Sequence, residues 1–319
     1  MNRVAADDTG AGRRDLAARA AWLYYVAGMT QDQVARELGI SRQRAQRLVA
    51  LAVSENLIRV RIDHPIAECL ELERDLRGHY ALDWVRVAPA LAAGDEALTA
   101  LAPFAAPSIE SVFADGAPRL VALGTGRTLR AVIEQMQTMD GKHHKVVSLI
   151  GNVSPDGSAS FYEVIMRVAD KTGAAHYPMS APVMARSLEE LATFRDLPHV
   201  KSTMALARSA DLTIVGIGQM DDSAPLLKDG FITAEQLASL RAAGAVGEIC
   251  SHIFDAEGRY LDHPVNDLMV GQRLMSGSAR RLCIGGGREK QAALRAALKG
   301  RLITDLITDE NTARALLAG

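Results

Sequence analysis

The stretch "VALGTGRTLRAV", residues 121 to 132, is an apolar run that stops at a glycine-rich turn and resumes with the spacing of a helix. Such a turn lets the backbone approach a ligand closely, and the amides at the helix start favour an anion. Thr125 and Thr128 would add hydroxyl groups, and Arg127 would add a positive charge. A turn without a ligand also requires glycine, so this stretch alone leaves open whether the loop binds phosphate. The spacing fits neither a Walker loop nor a dinucleotide fingerprint, and we therefore expect no ATP, NAD or other cofactor.

Apolar runs ending in glycine or another small residue recur on both sides of this stretch. They are "WVRVA", "RLVALG", "KVVSLIG", "DLTIVGIG" and "RRLCIGGG", and helical patterns separate most of them. Alternating strands and helices predict a doubly wound, mostly parallel α/β domain, which we place at residues 82 to 319. Ligands of such sheets bind at the carboxyl ends of the strands, so we expect the glycine loops to converge there.

A second loop with anion-binding character is "CIGGGREKQAALRAAL", in which Gly286 and Gly287 end a strand and Lys290 follows one turn into a helix. A lysine at that position can reach an anion bound at the same edge of the sheet. The alternative is a turn followed by a helix whose charges are merely solvated.

Polar side chains follow the other strand ends. Gln219 and Asp221 follow just after "VGIG", and Asn152 and Glu163 belong to "IGNVSPDGSASFYEV". These groups are suited to hydrogen bonds with sugar hydroxyls, although plain turns explain them almost as well. Glu248 is an acid within the apolar run of "GAVGEICSHIFDAEGR", which is typical of a strand pair; binding or a satisfied ion pair would account for it.

The N-terminal stretch "TQDQVARELGISRQRAQRLVALA", residues 30 to 52, has the pattern of a helix-turn-helix. Thr30 and Ser41 are suited to cap two helices, Gly39 supplies the turn, and Ala35 allows a close helix crossing. We therefore predict a small all-α helix-turn-helix head at residues 15 to 63, ending in a short strand "IRVRID".

The outward face of the second helix carries arginine and glutamine, the residue types that read base edges or bind phosphate. Arg44 is expected to point towards the DNA backbone. The alternative is an ordinary helical hairpin with a solvated polar face. The predicted contacts to double-stranded operator DNA are Thr30, Gln31, Ser41, Arg42, Gln43, Arg44, Gln46 and Arg47.

The composition is that of a globular protein: 319 residues, 48% hydrophobic and 23% charged. Residues 1 to 62 hold 10 arginines, no lysine and 6 acidic residues, a net charge of +4, against −6 for the remainder. A basic head on an acidic body favours a nucleic-acid partner for the head. We expect residues 1 to 14 to be a disordered leader and residues 64 to 81 to form a linker helix. We see no signal peptide, membrane span or metal-ligand spacing, and therefore expect a cytoplasmic protein without a metal site.

Taken together, the motifs make the chain resemble the SorC family of sugar-binding bacterial transcriptional regulators from about residue 21 to residue 317. The resemblance is carried by "MTQDQVARELGISRQRAQRLVALAVSENLI", "LGTGRTL", "VGIGQMDDSAPLLKDGFIT", "GAVGEICSHIFDAEGR", "GGGREKQAALRAAL" and "LITDENTARALL". It implies an effector domain related to sugar-phosphate isomerases and deaminases, dimeric or tetrameric, whose ligand is a phosphorylated sugar or a polyol derivative. It also implies that Gly124, Thr125, Gly126, Arg127 and Thr128 form a phosphate cradle with Lys290, and that Asn152, Asp221 and Glu248 line the hydroxyl side.

An alternative is an isomerase or deaminase with an added helical module. The related enzymes carry an Asp-Gly-His element where this chain has Gln219 to Ser223, and no histidine occurs between His199 and His252. Because proton transfer between sugar carbons needs an acid and a base, this absence favours a sensor over an enzyme. Arg127 also replaces the serine of the related loops, which leaves open whether an unphosphorylated polyol is the ligand.

Overall fold

The computed structural model describes residues 10 to 58, 67 to 90, 96 to 154, 157, 164 to 274 and 279 to 318. The chain divides into two compact units, Met1–His64 and Pro65–Gly319. Residues 59 to 63 of the predicted strand "IRVRID" lie outside the described residues. None of the described helices is both long and apolar enough to cross a membrane.

The described residues of the N-terminal unit form three helices, α1 (Gly10–Tyr25), α2 (Gln31–Leu38) and α3 (Arg42–Ser54). Helix α1 begins at Gly10, so residues 10 to 14 are helical rather than part of the disordered leader that we expected. The alanine- and leucine-rich run that follows explains this. Ala17, Ala20 and Ala21 are fully buried in the core of this unit, and their packing stabilises a helix that also includes the polar residues before them.

Local signals fix the turn between α2 and α3. Thr30 and Gln33 form a capping box, in which the Gln33 amide donates to Thr30 Oγ1 at 3.3 Å and the Thr30 amide donates to Gln33 Oε1 at 2.8 Å. Gly39 ends α2 with φ of 65°, a left-handed conformation that glycine adopts without strain. Ser41 caps α3 by accepting from the Arg44 amide at 3.3 Å.

The second unit is built on a seven-stranded parallel sheet in the order β1-β10-β9-β5-β2-β3-β4, together with a three-stranded antiparallel sheet β6-β7-β8. This confirms the predicted doubly wound α/β architecture and the strand pair "GAVGEICSHIFDAEGR". The strands are β1 (Trp84–Ala88), β2 (Leu120–Leu123), β3 (Lys145–Val153), β4 (Ala175–Pro182), β5 (Leu212–Val215), β6 (Gly218–Gln219), β7 (Gly247–Ile249), β8 (His252–Phe254), β9 (Arg280–Ile284) and β10 (Asp305–Asp309).

Helices cover both faces of the parallel sheet. Successive residues of β2 point to opposite cores: Val121 and Leu123 pack with α5, α6 and α7, and Ala122 packs with α4, α9, α13 and α14. Helix α4 lies within the predicted linker, residues 64 to 81, and packs against β1 and α14. The helices are α4 (Ala67–Tyr80), α5 (Ala97–Phe113), α6 (Arg127–Gln135), α7 (Val164–Thr172), α8 (Leu188–Asp196), α9 (Pro198–Arg208), α10 (Pro225–Lys228), α11 (Ala234–Ala242), α12 (Pro264–Asp267), α13 (Gln291–Lys299) and α14 (Glu310–Ala318).

The order of the strands reverses between β2 and β5. From β2 the chain adds β3 and β4 on one side, then crosses back to add β5, β9 and β10 on the other. The loops that leave β2 and β5 therefore run to opposite faces of the sheet and open a crevice between them. "LGTGRTL" and "VGIG" follow these two strands, so the glycine loops predicted from the sequence meet at this switch point.

We expect the capping box at Thr30 to determine much of the stability of the N-terminal unit. Thr30→Ala should lower the free energy of unfolding of this unit by about 1 kcal/mol, because the Gln33 amide loses its acceptor. Thr30→Ser keeps the hydroxyl and is the matched control. Urea unfolding followed by Trp22 fluorescence in a Trp84→Phe background reports on this unit, since the chain has only 2 tryptophans. Equal unfolding midpoints for the alanine and serine variants would contradict the prediction.

Candidate functional site

A cavity of about 1190 Å³ lies at the switch point, and we call it the switch-point cavity. It opens at the carboxyl ends of β2, β5 and β9 and is closed on one side by the three-stranded sheet. Its walls bring together residues from several segments that are distant in the sequence. Of the predicted effector residues, it is lined by Thr125, Gly126, Arg127, Thr128, Gln219, Glu248, Gly286, Gly287 and Lys290.

The loop after β2 presents the start of helix α6 to the cavity. Gly126 occupies the N-cap position with φ of 122°, and no side chain caps this helix. A helix start that lacks a side-chain cap keeps its first amides and its positive dipole end directed at the space in front of it. Thr128 is buried in the first turn, so its hydroxyl faces the interior of the site. This loop is thus built as the sequence predicts for an anion-binding turn.

The loop after β9 is held in place by a buried carboxylate. Asp309 Oδ2 accepts from the Gly287 amide at 3.0 Å, and Thr312 Oγ1 accepts from the same amide at 2.9 Å. A side chain on Gly286 would overlap Asp309 Oδ2, so only glycine fits there. Asp309 itself is clamped by the Thr312 amide at 2.9 Å and the Thr312 hydroxyl at 2.6 Å.

Lys290 connects the two glycine loops. Its ammonium donates to Thr128 Oγ1 at 2.8 Å, across 162 positions of sequence. Burial lowers the pKa of Lys290 from its ordinary value, while Glu289, Cys283 and Glu248 raise it and Arg127 lowers it further. A half-buried ammonium between two glycine-rich loops is positioned to neutralise an anion bound at either of them.

Arg127, which we predicted as part of the cradle, is paired with a carboxylate that sequence reasoning missed. Its Nη2 atom lies 2.7 Å from Asp229 Oδ1. Burial raises the pKa of Asp229, and the guanidinium of Arg127 opposes that rise. The pair sits at the rim of the cavity, so an incoming ligand meets a bound ion pair there rather than a bare cation.

Glu248 is an acidic residue that lines the cavity on the side expected to bind ligand hydroxyl groups. Its Oε2 atom accepts from the Ser251 amide at 2.7 Å, and a side chain on Gly218 of the neighbouring strand would collide with its Oε1 atom. Burial raises the pKa of Glu248 to about 7, and the Ser251 amide and Lys290 limit the rise. Near neutral pH its carboxyl group can therefore both donate and accept hydrogen bonds, which suits a ligand hydroxyl.

Three of the predicted effector residues do not line the cavity, and one lies outside the described residues. Gly124 lies beneath the loop, where a side chain would meet Cys250 Sγ at 3.2 Å. Asn152 is half-buried near the end of β3, and Asp221 binds the amide and hydroxyl of Ser223 at 2.8 and 2.6 Å. Glu163 is the residue outside the described part of the chain.

Several residues of the cavity wall are not predicted from the sequence, among them Asp229, Cys250, Ser251 and Asn311. Cys250 and Ser251 form the turn between β7 and β8 with φ of 51° and 67°, values that are unfavourable for side chains with a β-carbon. Nothing in the residue types predicts such a turn, whereas Asp229 stands before a glycine and resembles an ordinary helix end. Within the described ranges, no group of three or more His, Cys, Asp or Glu side chains is placed to hold a metal ion.

In the N-terminal unit, α3 has one buried and one exposed face. Ala45, Leu48, Val49 and Ala52 are buried and form its inward face. Each predicted DNA contact on α3, as well as Thr30 and Ser41, is exposed, and Gln31 is half-buried. The Arg47 Nε atom donates to the Gln43 carbonyl at 3.3 Å, and Arg42 lies 3.5 Å from the carboxylate of Asp32. These are surface contacts of the kind that can exchange for DNA phosphates at little cost.

Comparisons with known proteins identify the second unit and match the chain over nearly its whole length. Residues 64 to 318 match the family model of the putative sugar-binding domain. The erythritol catabolism regulatory protein EryD of Brucella abortus is 35% identical over 303 residues, covering 95% of this chain and 96% of that protein. The transcriptional regulator LsrR of an Enterobacter species is 32% identical over 330 residues, covering 99% and 98%. The full-length sorbitol operon regulator SorC of Klebsiella pneumoniae superposes with a TM-score of 0.75 at 25% identity, covering 98% of this chain and 99% of that one.

We expect Glu248 to make the stability of the second unit depend on pH. Because its pKa is raised from 4.5 to about 7, the folded state holds a proton that the unfolded state releases between these values. The free energy of unfolding should therefore fall, by on the order of 2 kcal/mol, as the pH rises from about 4.5 to about 7. Urea unfolding at several pH values measures this slope. Glu248→Gln should flatten it, whereas Glu257→Gln, at an exposed surface position, should leave it unchanged; equal slopes in all three proteins would show that Glu248 has no part in it.

Proposed function

The chain belongs to the family of transcriptional regulators that carry the putative sugar-binding domain, and we propose that it controls a carbohydrate or polyol utilisation operon. In this proposal the N-terminal unit binds operator DNA. The switch-point cavity binds a phosphorylated sugar or sugar alcohol that changes operator affinity. The names of two relatives refer to erythritol catabolism and to the sorbitol operon, and both compounds are sugar alcohols.

The contact between Lys290 and Thr128 is the observation that carries the effector proposal. It places the ammonium between two glycine-rich loops, one of which begins an uncapped helix. A phosphate needs amide donors and a cation in one place, and this arrangement supplies both. Glu248 and Gln219 line the same cavity and would bind the hydroxyl groups of the ligand.

An unphosphorylated polyol is the second candidate, and the pairing of Arg127 with Asp229 favours it. A guanidinium already bound to a carboxylate gains less from a phosphate than a free one would. The two side chains together offer donors and acceptors to a neutral polyol. The two candidates differ in their need for the charge of Lys290.

Control of DNA binding requires a second arrangement of the protein. A ligand can shift operator affinity only by as much as it binds one arrangement better than the other. We therefore propose a homodimer or homotetramer in the cytoplasm whose arrangement of DNA-binding units depends on the effector. The cavity senses its ligand rather than converting it, a role that the regulatory relatives support.

Lys290→Met tests the phosphorylated ligand, because it removes the charge while keeping most of the side-chain volume. We expect sugar phosphates to lose their effect on operator binding, with affinity for the effector falling at least tenfold. Fluorescence anisotropy on labelled DNA from upstream of the gene, at fixed salt and with a panel of sugar phosphates and polyols, measures this. Lys299→Met, at the exposed end of the same helix α13, should respond like the wild type. A full response of Lys290→Met to a polyol alone would establish the second candidate instead.

Arg47→Ala tests the recognition face of α3. Loss of one arginine contact to a base or phosphate should weaken operator binding by roughly tenfold or more, on the order of 1–3 kcal/mol. Arg36→Ala removes the same charge from the exposed surface of α2 and is the matched control. Anisotropy titrations at several salt concentrations separate a specific contact from the general effect of charge. Equal losses in both variants would contradict the assignment of α3 as the recognition helix.

A further inference from the structure

A second cavity, of about 390 Å³, lies in the same unit and shares no lining residue with the switch-point cavity. Three arginines line it: Arg195 at the end of α8, Arg208 at the end of α9, and Arg273 in the segment that follows α12. We call it the arginine cavity. It brings together positive charges from the ends of two consecutive helices and from a third segment that is distant in sequence.

The carboxylates around these arginines do not balance their charge. Arg273 has one acidic partner, Asp267, at 3.9 Å, and its guanidinium also stacks 5.3 Å from the ring centroid of Tyr260. Arg195 donates from Nη2 to the Met269 carbonyl at 2.8 Å. Its Nε atom is buried and has no hydrogen-bond partner within the described part of the chain.

Arg208 is the most accessible of the three. It is exposed, and its contact to Gln272 Oε1 is long, at 3.4 Å. Arg208 contacts the side-chain amide of Gln272, and Arg195 contacts the backbone carbonyl of Met269. Both of these partners are uncharged. The arginine cavity therefore holds three guanidinium groups and a single carboxylate among its lining residues.

The guanidinium groups contribute to lowered pKa values of the basic side chains around the cavity. Burial and then the nearby Arg273 lower the pKa of Arg195. Burial lowers the pKa of the adjacent His252 to about 4; Gly271 opposes this shift, and Arg273 and Arg195 add to it. His252 is thus neutral at pH 7 and adds no further positive charge. Uncompensated charge in a partly desolvated recess costs free energy, which a bound anion would recover.

The arginine cavity lies close to the switch-point cavity but is a separate site. The Gln272 amide donates to the Leu149 carbonyl at 2.8 Å, and the next residue of β3, Ile150, lines the switch-point cavity. The Gly271 carbonyl contacts His252 Nε2 at 3.1 Å, and Ser251, one residue earlier, again lines the switch-point cavity. Each cavity can therefore be tested by variants that leave the lining of the other intact.

We propose that the arginine cavity is a second anion-binding site, which takes the phosphate or carboxylate group of a small molecule between Arg208, Arg195 and Arg273. Guanidinium groups present several N–H donors in a fixed plane and match the oxygens of such groups in pairs. A recess of about 390 Å³ accommodates a small metabolite. This site is distinct from the switch-point cavity, and the proposal stands even if the effector bound there is unphosphorylated.

Inorganic phosphate is the probe, used at constant ionic strength with chloride as the balancing ion so that screening is not mistaken for binding. The Lys290→Met protein is titrated first, because it lacks the ammonium group that lies between the two glycine-rich loops of the switch-point cavity. We expect phosphate to raise its melting temperature in a saturable way. Arg208→Ala in the same background should weaken the apparent dissociation constant at least fivefold, and Arg273→Gln should do likewise.

Arg241→Ala is the matched control, since it removes an exposed arginine elsewhere on this unit. It should bind phosphate like its parent. The proposal is overturned if phosphate gives no more stabilisation than chloride in the Lys290→Met protein, or if Arg208→Ala and Arg241→Ala behave alike. It is also overturned if light scattering shows that Arg208→Ala changes the oligomeric mass without phosphate, because an acidic side chain of a second copy is then the occupant.

Discussion

The reversal of strand order between β2 and β5 is the constraint on which the rest of the second unit depends. Parallel strands place all their carboxyl ends at one edge of the sheet, and crossover helices normally cover that edge from both faces. Where the strand order reverses, the loops after β2 and β5 run to opposite faces of the sheet. A crevice therefore forms between them from the backbone topology alone, without a need for particular side chains. Glycines at these strand ends then let backbone amides, rather than side chains, form the surface that a ligand meets.

The crevice becomes a defined site because buried polar groups fix its loops. Asp309 holds the amide of Gly287, and Lys290 holds the hydroxyl of Thr128, so the loops after β9 and β2 are tied to the core and to each other. Glu248 is placed by a different device, the close pairing of β7 with Gly218 in the small antiparallel sheet. A cation on one wall and an acid of raised pKa on another give the cavity two chemically distinct walls, as a ligand with both anionic and hydroxyl groups requires.

Local signals in the sequence were sufficient for the parts of the fold that depend on neighbouring residues. The capping box at Thr30, the turn at Gly39 and the strands that end in glycine are of this kind. Strand β10 was missed because its run "DLITD" begins and ends with aspartates, which are typical of turns. Both carboxylates are nevertheless buried, Asp305 against Arg280 and Asp309 against Thr312. The pairing of Asp305 with Arg280 joins residues that are distant along the chain, and such pairing is invisible in sequence. Edge strand β4 was missed for a related reason, since its two prolines and exposed polar residues are tolerated only at an edge.

Perturbed acid and base groups in one cavity are a mark of enzymes as much as of binding proteins, so their presence does not by itself decide between chemistry and sensing. What differs is the use of the proton. An enzyme needs a group that gives up a proton to a carbon or oxygen and takes it back, whereas a sensor needs a group whose hydrogen-bonding capacity suits the ligand. Glu248, with a pKa of about 7 and one oxygen already bound to the Ser251 amide, can offer its other oxygen to a hydroxyl as donor or acceptor. In the proposed function its proton serves recognition, which is the use that a family of transcriptional regulators favours.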